Sequence, residues 1–158
     1  MRIALLEDEP VQMQLMVARL GTLPMANNET VDCAQFTDGA TLRAALLVDV
    51  FDLLILDWNF NHTNGLDLVR WMRQGDNDSG LEKLPVIVVS ARSAANDAVV
   101  ALTSGADDYI AKPFGSGDLL GRIGQVMGWA ARRRNRPRIP TESSRALVRP
   151  PTACGAGS

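Results

Sequence analysis

Four short apolar runs punctuate the chain: Ile3-Ala4-Leu5-Leu6, Leu53-Leu54-Ile55-Leu56, Val86-Ile87-Val88-Val89 and Tyr109-Ile110-Ala111. Each has the length of a strand and none alternates with polar residues, the pattern of strands covered on both faces of a parallel sheet. A weaker fifth candidate, Val31 to Phe36, lies between the first two.

The segments between these runs carry helical spacing. Pro10 suits the first turn of a helix that runs to about Leu20, aligns Val11, Leu15 and Ala18 on one face, and stops at Gly21. Thr37-Asp38 can cap a helix through Leu42, Ala45 and Leu46. Residues Gly65 to Gln74 present Leu66, Val69 and Met72, or Leu68 and Trp71, at spacings of three and four. Residues Ser93 to Ser104 present Ala95, Val99 and Leu102, with Gly105 as the stop. A last helix begins at Ser116 or Gly117, with Leu119, Ile123, Val126 and Trp129 on its inner face. Its Gly121, Gly124 and Gly128 weaken helix formation, so fraying or close packing is expected there. Five strands alternating with five helices predict an α/β fold, doubly wound and flavodoxin-like, with a five-stranded parallel sheet in the order 2-1-3-4-5 and helices on both faces.

The pattern stops near residue 131, and charge divides at the same place. The net charge of −2 joins a segment 1–131 of charge −8 to a segment 132–158 of charge +6. The latter holds four of the eight prolines and seven arginines, and reads as a disordered tail or truncated linker after a domain spanning 1–131. No uncharged run exceeds nine residues, about half of a membrane span. The chain reaches Glu7 before any apolar stretch of signal-peptide length. Two cysteines, Cys33 and Cys154, make no disulfide framework, and one histidine, His62, builds no histidine metal site. A cytoplasmic protein with one folded domain is the expectation.

In an open parallel sheet, ligands sit outside the carboxyl ends of the strands. Glu7, Asp8 and Glu9 follow the first strand, Asp57 the third (with Asn59 two residues on), Ser90 the fourth, and Lys112-Pro113 the fifth. Carboxylates gathered at one rim repel, and a divalent cation relieves the repulsion. All-oxygen ligation favours Mg2+, which takes one or two carboxylates plus phosphate. A carboxylate oxygen of Asp57 can attack phosphorus in line, while Lys112 and Ser90 can donate to phosphoryl oxygens. Metal and ammonium neutralise the charge that develops, and the product is an aspartyl phosphate.

These residues, in the runs Leu5-Leu6-Glu7-Asp8-Glu9-Pro10, Ile55-Leu56-Asp57-Trp58-Asn59, Val88-Val89-Ser90-Ala91 and Ala106-Asp107-Asp108-Tyr109-Ile110-Ala111-Lys112-Pro113-Phe114, resemble the receiver domain of two-component response regulators. The resemblance covers about residues 1–131. It implies that Glu7 and Asp8 hold Mg2+, that Asp57 accepts the phosphoryl group, and that Asn59 offers its backbone carbonyl to the metal. By the same resemblance Ser90 is the hydroxyl switch residue, Lys112 pairs with the phosphate, Tyr109 is the switch aromatic, and Lys112-Pro113 is a cis peptide. The partner implied is a sensor histidine kinase. The loop Asn59-Phe60-Asn61-His62-Thr63-Asn64-Gly65 departs from the family in lacking a proline, which implies a looser loop.

Ala106-Asp107-Asp108-Tyr109 and Leu119-Leu120-Gly121-Arg122-Ile123 are similar to OmpR/PhoB-type regulators, whose receivers dimerise through helix four, strand five and helix five. Asp108, Asp118 and Arg122 match charged positions of that face, and Ala98 stands where helix four usually contributes a basic residue. A homodimer on phosphorylation is therefore expected, weakened by Ala98.

Taken singly, each residue has a plainer reading. Glu7-Asp8-Glu9 can be a solvated loop, Asp57 a helix cap, Ser90 and Lys112 ordinary strand-end residues, and Asp107-Asp108 a solvated turn or interface charge. Trp58 and Trp71 read as packing residues, with Trp58 placed to cover part of the site. The arginine tail can contact nucleic acid nonspecifically through phosphate charge, although no aromatic or helical pattern interleaves it. Two other classes stay open. One is a truncated piece of a DNA-binding transcriptional regulator, since 27 residues after 131 are too few for a winged-helix domain. The other is a phosphatase of the haloacid dehalogenase type, which wants a second carboxylate where Asn59 stands.

Overall fold

The computed structural model describes residues 1–25, 28–60, 63–75, 79–91 and 95–134. The expectations for His62, Ser93, Cys154 and the tail from residue 135 fall outside these residues, as do the side chains of Asn59 and Trp129.

Five strands, β1 (Arg2–Leu6), β2 (Asp32–Phe36), β3 (Leu53–Asp57), β4 (Val86–Ser90) and β5 (Asp108–Ala111), form one parallel sheet in the order β2-β1-β3-β4-β5. They alternate with α1 (Pro10–Leu20), α2 (Gly39–Val48), α3 (Gly65–Gln74), α4 (Ala95–Thr103) and α5 (Ser116–Arg134). The flavodoxin-like order expected for five crossover-linked strands is the one observed. β2 is an edge strand and carries exposed positions, which explains its weaker apolar signal.

Alternate residues of each inner strand feed two separate cores. Ala4, Leu6, Leu54, Leu56, Val86 and Val88 face α2, α3 and α4, where Leu42, Leu46, Leu66, Val69 and Met72 close the layer. Ile3, Leu5, Leu53, Ile55, Ile87 and Val89 face α1 and α5, against Met13, Met16, Leu20, Leu119, Ile123 and Val126. With both faces dry, the strands need no polar alternation, and the sheet is fixed in place under its carboxyl rim.

Two helices turn differently from the sequence expectation. In α1 the core side is Met13, Met16 and Leu20, while Val11 and Leu15 are exposed. In α4 the side toward the sheet is made by Ala98 and Ala101, while Val99, Val100 and Leu102 face solvent. Both helices carry apolar residues all round, so periodicity could not choose between their faces. Helix α5 continues to Arg134, three residues past the boundary expected at 131.

Asp107 and Asp108, expected as a solvated turn or interface charge, are largely buried and paired within the chain. The Arg73 guanidinium, at the end of α3, donates to Asp107 at 3.0 Å and to the carbonyls of Gly105, Leu81, Glu82 and Leu84. Asp107 also accepts from the Val86 backbone N–H at 2.9 Å. This network ties α3, the turn at Leu81–Lys83 and the start of β4 and β5 together at the end of the sheet opposite the strand tips. Asp108 accepts from Arg122 of α5 at 2.8 Å, within the same chain.

Candidate functional site

Each candidate residue arrives at the carboxyl rim for a local reason. Glu7 and Asp8 follow β1 directly, and the Glu7 N–H is held by the Phe36 carbonyl at 3.1 Å. Asp57 is the last residue of β3, and the next N–H, of Trp58, bonds Val89 at 2.9 Å. Ser90 ends β4 and is fully buried; its carbonyl accepts from the Lys112 N–H at 2.7 Å. Backbone bonds thus tie the end of β1 to β2, that of β3 to β4 and that of β5 to β4 before any side chain is considered.

Beyond Asp57 the chain forms a minimal antiparallel pair, Asn59–Phe60 with Thr63–Asn64, and then enters α3 with Asn64 capping the Leu66 N–H at 3.0 Å. The expected looser loop is therefore paired on both sides of its tip. Gly65 makes this return possible. Its N–H bonds the Trp58 carbonyl at 2.7 Å, and a Cβ there would lie 2.7 Å from both the Asp57 carbonyl oxygen and Leu56 Cδ1. Only glycine lets the helix start so close to the strand tip.

The side chains converge. Ligand oxygens of Glu7, Asp8 and Asp57 lie within 4.8 Å of one another. Lys112 Nζ donates to Glu7 Oε2 at 2.9 Å and reaches Asp57 Oδ2 at 3.5 Å. Glu7 is 4% exposed and its other oxygen accepts from the Glu9 N–H at 3.1 Å, so Glu7 is the lysine's main anchor. Burial of the Lys112 ammonium works to lower its pKa, but the Glu7 hydrogen bond and the charges of Asp57 and Glu7 outweigh it and raise the value above that of an ordinary lysine. The peptide between Lys112 and Pro113 is cis. A cleft of about 650 Å³ opens over these groups, bordered by Gln12, Leu15 and Arg19 of α1 and by Ala91 and Phe114.

Such a set can hold one hard cation among oxygens and present one carboxylate beside an ammonium. The donor chemistry, three carboxylates facing a cleft with room for water and phosphate, suits Mg2+. Other sequence candidates take other places. Tyr109 is buried, its ring edge-on to Trp58 with centroids 6.1 Å apart. Trp58 is 5% exposed and belongs to the core on the α2–α4 side, so it does not cover the cleft. Asp118 is exposed and accepts from the Gly115 N–H, capping the entry to α5. Cys33 is a partly buried strand residue whose thiol is pushed up to about 11, by burial first and by neighbouring Asp32 second.

Residues 3–124 match the family model described as the response regulator receiver domain. The chain belongs to that family. As a receiver, it is 34% identical over 138 residues to the phosphate regulon transcriptional regulatory protein PhoB of Rhizobium meliloti, covering 87% of this chain and 55% of PhoB. It is 42% identical over 87 residues to the response regulator protein PmrA of Pseudomonas aeruginosa, covering 55% of this chain and 37% of PmrA. The receiver spans about half the length, or less, of these curated relatives. Among solved structures, the receiver domain of sensor histidine kinase PA1611 from Pseudomonas aeruginosa, itself described with a magnesium ion in its active-site cleft, aligns with a TM-score of 0.67 at 24% identity over 80% of this chain and 97% of that one. The BeF3-activated receiver domain of Klebsiella pneumoniae RstA aligns with a TM-score of 0.66 at 23% identity over 80% and 98%.

The Glu7–Lys112 pairing, the Arg73 network and the Trp58–Tyr109 contact were not legible from sequence. All three join residues from distant segments, and only the strand order brings them together. The phosphatase alternative has less support than the receiver: the acids Glu7 and Asp8 precede Asp57 in the chain and the family match is to receivers.

Proposed function

We propose that this receiver accepts a phosphoryl group from a sensor histidine kinase on Asp57, with Mg2+ as cofactor, in a cytoplasmic two-component pathway. The observation that carries the reading is the convergence of Glu7, Asp8, Asp57 and Lys112 on one rim, with Lys112 Nζ 3.5 Å from Asp57. A carboxylate oxygen of Asp57 attacks phosphorus, the O–P bond forms, and the P–N bond to the kinase imidazole breaks with the electron pair leaving on nitrogen. Lys112 and Ser90 donate to the equatorial phosphoryl oxygens, keeping their charge compensated throughout. Glu7, Asp8, Asp57 and the Asn59 carbonyl would hold the metal, which supplies positive charge to the same oxygens. Such chemistry amounts to self-phosphorylation and slow self-dephosphorylation, without turnover of a separate substrate.

The kinase docks beside the cleft. Val11 and Leu15 of α1 are exposed there, and Arg19 stacks on the Phe114 ring at 5.1 Å, giving a partly apolar rim around the acidic floor. The switched surface is α4, β5 and α5, used for a homodimer on phosphorylation. On that surface Arg122 is already satisfied by Asp108 of its own chain, and α4 presents Val99, Val100 and Leu102 in place of a basic residue. Residues 1–131 are the phosphoacceptor unit, and the arginine-rich segment after them is at most a nonspecific nucleic-acid contact. Downstream control of transcription is suggested by the relatives' names, PhoB among them.

Beryllofluoride, a phosphoryl mimic, tests the site. In calorimetry the protein binds it one to one only when Mg2+ is present, and Asp57→Ala abolishes binding. Equal binding by wild type and Asp57→Ala would overturn the assignment.

A further inference from the structure

β3 and β5 are not neighbours; β4 lies between them. Yet the Trp58 and Tyr109 rings meet, with centroids 6.1 Å apart and planes at 88°. They do so across β4, on the face to which Val88 contributes, since Leu56, Val88 and Tyr109 stand in one row of the sheet. Ser90 has the same parity as Val88 on β4 and is fully buried, one row nearer the rim. The aromatic pair therefore spans the strand that ends in the hydroxyl residue, and one of its rings follows Asp57 directly in the chain.

Trp58 is held from both sides. Its N–H bonds Val89 at 2.9 Å and its carbonyl accepts from Gly65 at 2.7 Å, so the backbone that carries the indole is fixed beside β4. Tyr109 sits at 9% exposure in the same core as Trp58, to which α4 contributes the small residues Ala98 and Ala101. An edge-to-face pair adds to the gain from burial. Swinging the ring outward would leave a gap beside the indole and cost that contact.

We propose that Trp58 is a positioning residue for the switch: it holds Tyr109 inward and thereby sets the resting balance between the inward and outward rings that phosphorylation of Asp57 acts on. This rests on the receiver reading above. The two rings belong to the apolar core rather than to the acidic cluster itself.

Tyr109 is the only tyrosine, so biosynthetic 3-fluorotyrosine gives one 19F signal for the switch. In the full chain without Mg2+ or beryllofluoride, the wild-type signal is solvent-shielded, with a small shift between H2O and D2O. Trp58→Leu moves the population toward the solvent-exposed ring by roughly 2- to 12-fold, the range of an aromatic pair, whereas Trp58→Phe, which keeps an aromatic edge partner, stays near wild type. In calorimetry with Mg2+ and beryllofluoride, Trp58→Leu changes the affinity in the wild-type background and leaves it unchanged in a Tyr109→Leu background. An unaltered 19F signal in Trp58→Leu, or equal effects of Leu and Phe, would overturn the proposal. So would an affinity change that survives in the Tyr109→Leu background, because it would mark a general disturbance of the rim. Should Trp58→Leu fail to fold, the Phe variant and Tyr109→Leu complete the comparison, and a Phe signal as exposed as free 3-fluorotyrosine refutes it. Failure of wild type to bind beryllofluoride at all would instead strike the receiver reading, while the 19F comparison would still decide the role of Trp58.

Discussion

At the level of single residues, Lys112 does two opposed things. Its ammonium anchors Glu7 and lies near Asp57, so it compensates part of the carboxylate charge that a cation would otherwise meet. Under the proposed function it also holds a phosphoryl oxygen. Replacing it separates the roles: Lys112→Met should bind Mg2+ several-fold more tightly, because the competing cation is gone, and beryllofluoride at least about tenfold more weakly, because a charge-assisted hydrogen bond is lost. Titrations of the variant with each ligand check this, and parallel losses of both would show a collapsed rim instead. The pH dependence follows from the sign of the shift. A lysine whose folded pKa is raised gives its full stabilisation below the ordinary lysine pKa and loses it as pH climbs through the higher folded value. From roughly pH 6 to 9 the Lys112 charge therefore contributes no pH dependence to Mg2+ binding. The types and positions of these residues were readable in the chain, because each follows an apolar run. Which carboxylate the lysine chooses was not, since Glu7 and Asp57 are equivalent acids until their burial and distances are known.

Among the elements, the junction between β3 and α3 decides the position of Asp57. Gly65 is buried, and any Cβ there meets backbone, the Asp57 carbonyl, which has no flexible end to move aside. Gly65→Ala should cost about 1–3 kcal/mol of stability by overpacking and should weaken Mg2+ binding by displacing the strand tip. Thermal unfolding and a Mg2+ titration of the variant measure the two effects, and unchanged values for both would mean that the close approach is not needed. Helix existence and ends were largely legible: Pro10 at the start of α1, the Asp38 cap on Thr41 at 2.7 Å and the Asn64–Gly65 start of α3 are local signals. Helix orientation was legible only where one side is polar. The charged residues Asp67, Arg70 and Arg73 mark the outer and lower side of α3, whereas α1 and α4 offer apolar residues on both sides, and there the sheet's shape chose Met13 and Met16 or Ala98 and Ala101.

On the scale of the whole molecule, strand order turns four separate chain segments into one site. β1 and β3 are adjacent at the centre of the sheet, so Glu7 and Asp8 meet Asp57, and β4 and β5 follow on one side, bringing Ser90 and Lys112 to the same rim. That order was predictable because right-handed crossovers leave few alternatives for five strands. The acidic balance of residues 1–131 is concentrated in part at this rim and in part consumed by internal pairs such as Arg73–Asp107 and Arg122–Asp108, which no charge count could separate. Those two pairs unite residues 34 and 14 positions apart, and each forms only when the fold brings its two segments together. The central claim is that this rim makes an aspartyl phosphate at Asp57, and the most direct measurement is mass spectrometry of the protein after incubation with acetyl phosphate. One added phosphoryl group is expected, dependent on Mg2+, mapped to the peptide carrying Asp57 and absent from Asp57→Ala. A phosphoryl group on any other residue, or none with Mg2+ present, would contradict it.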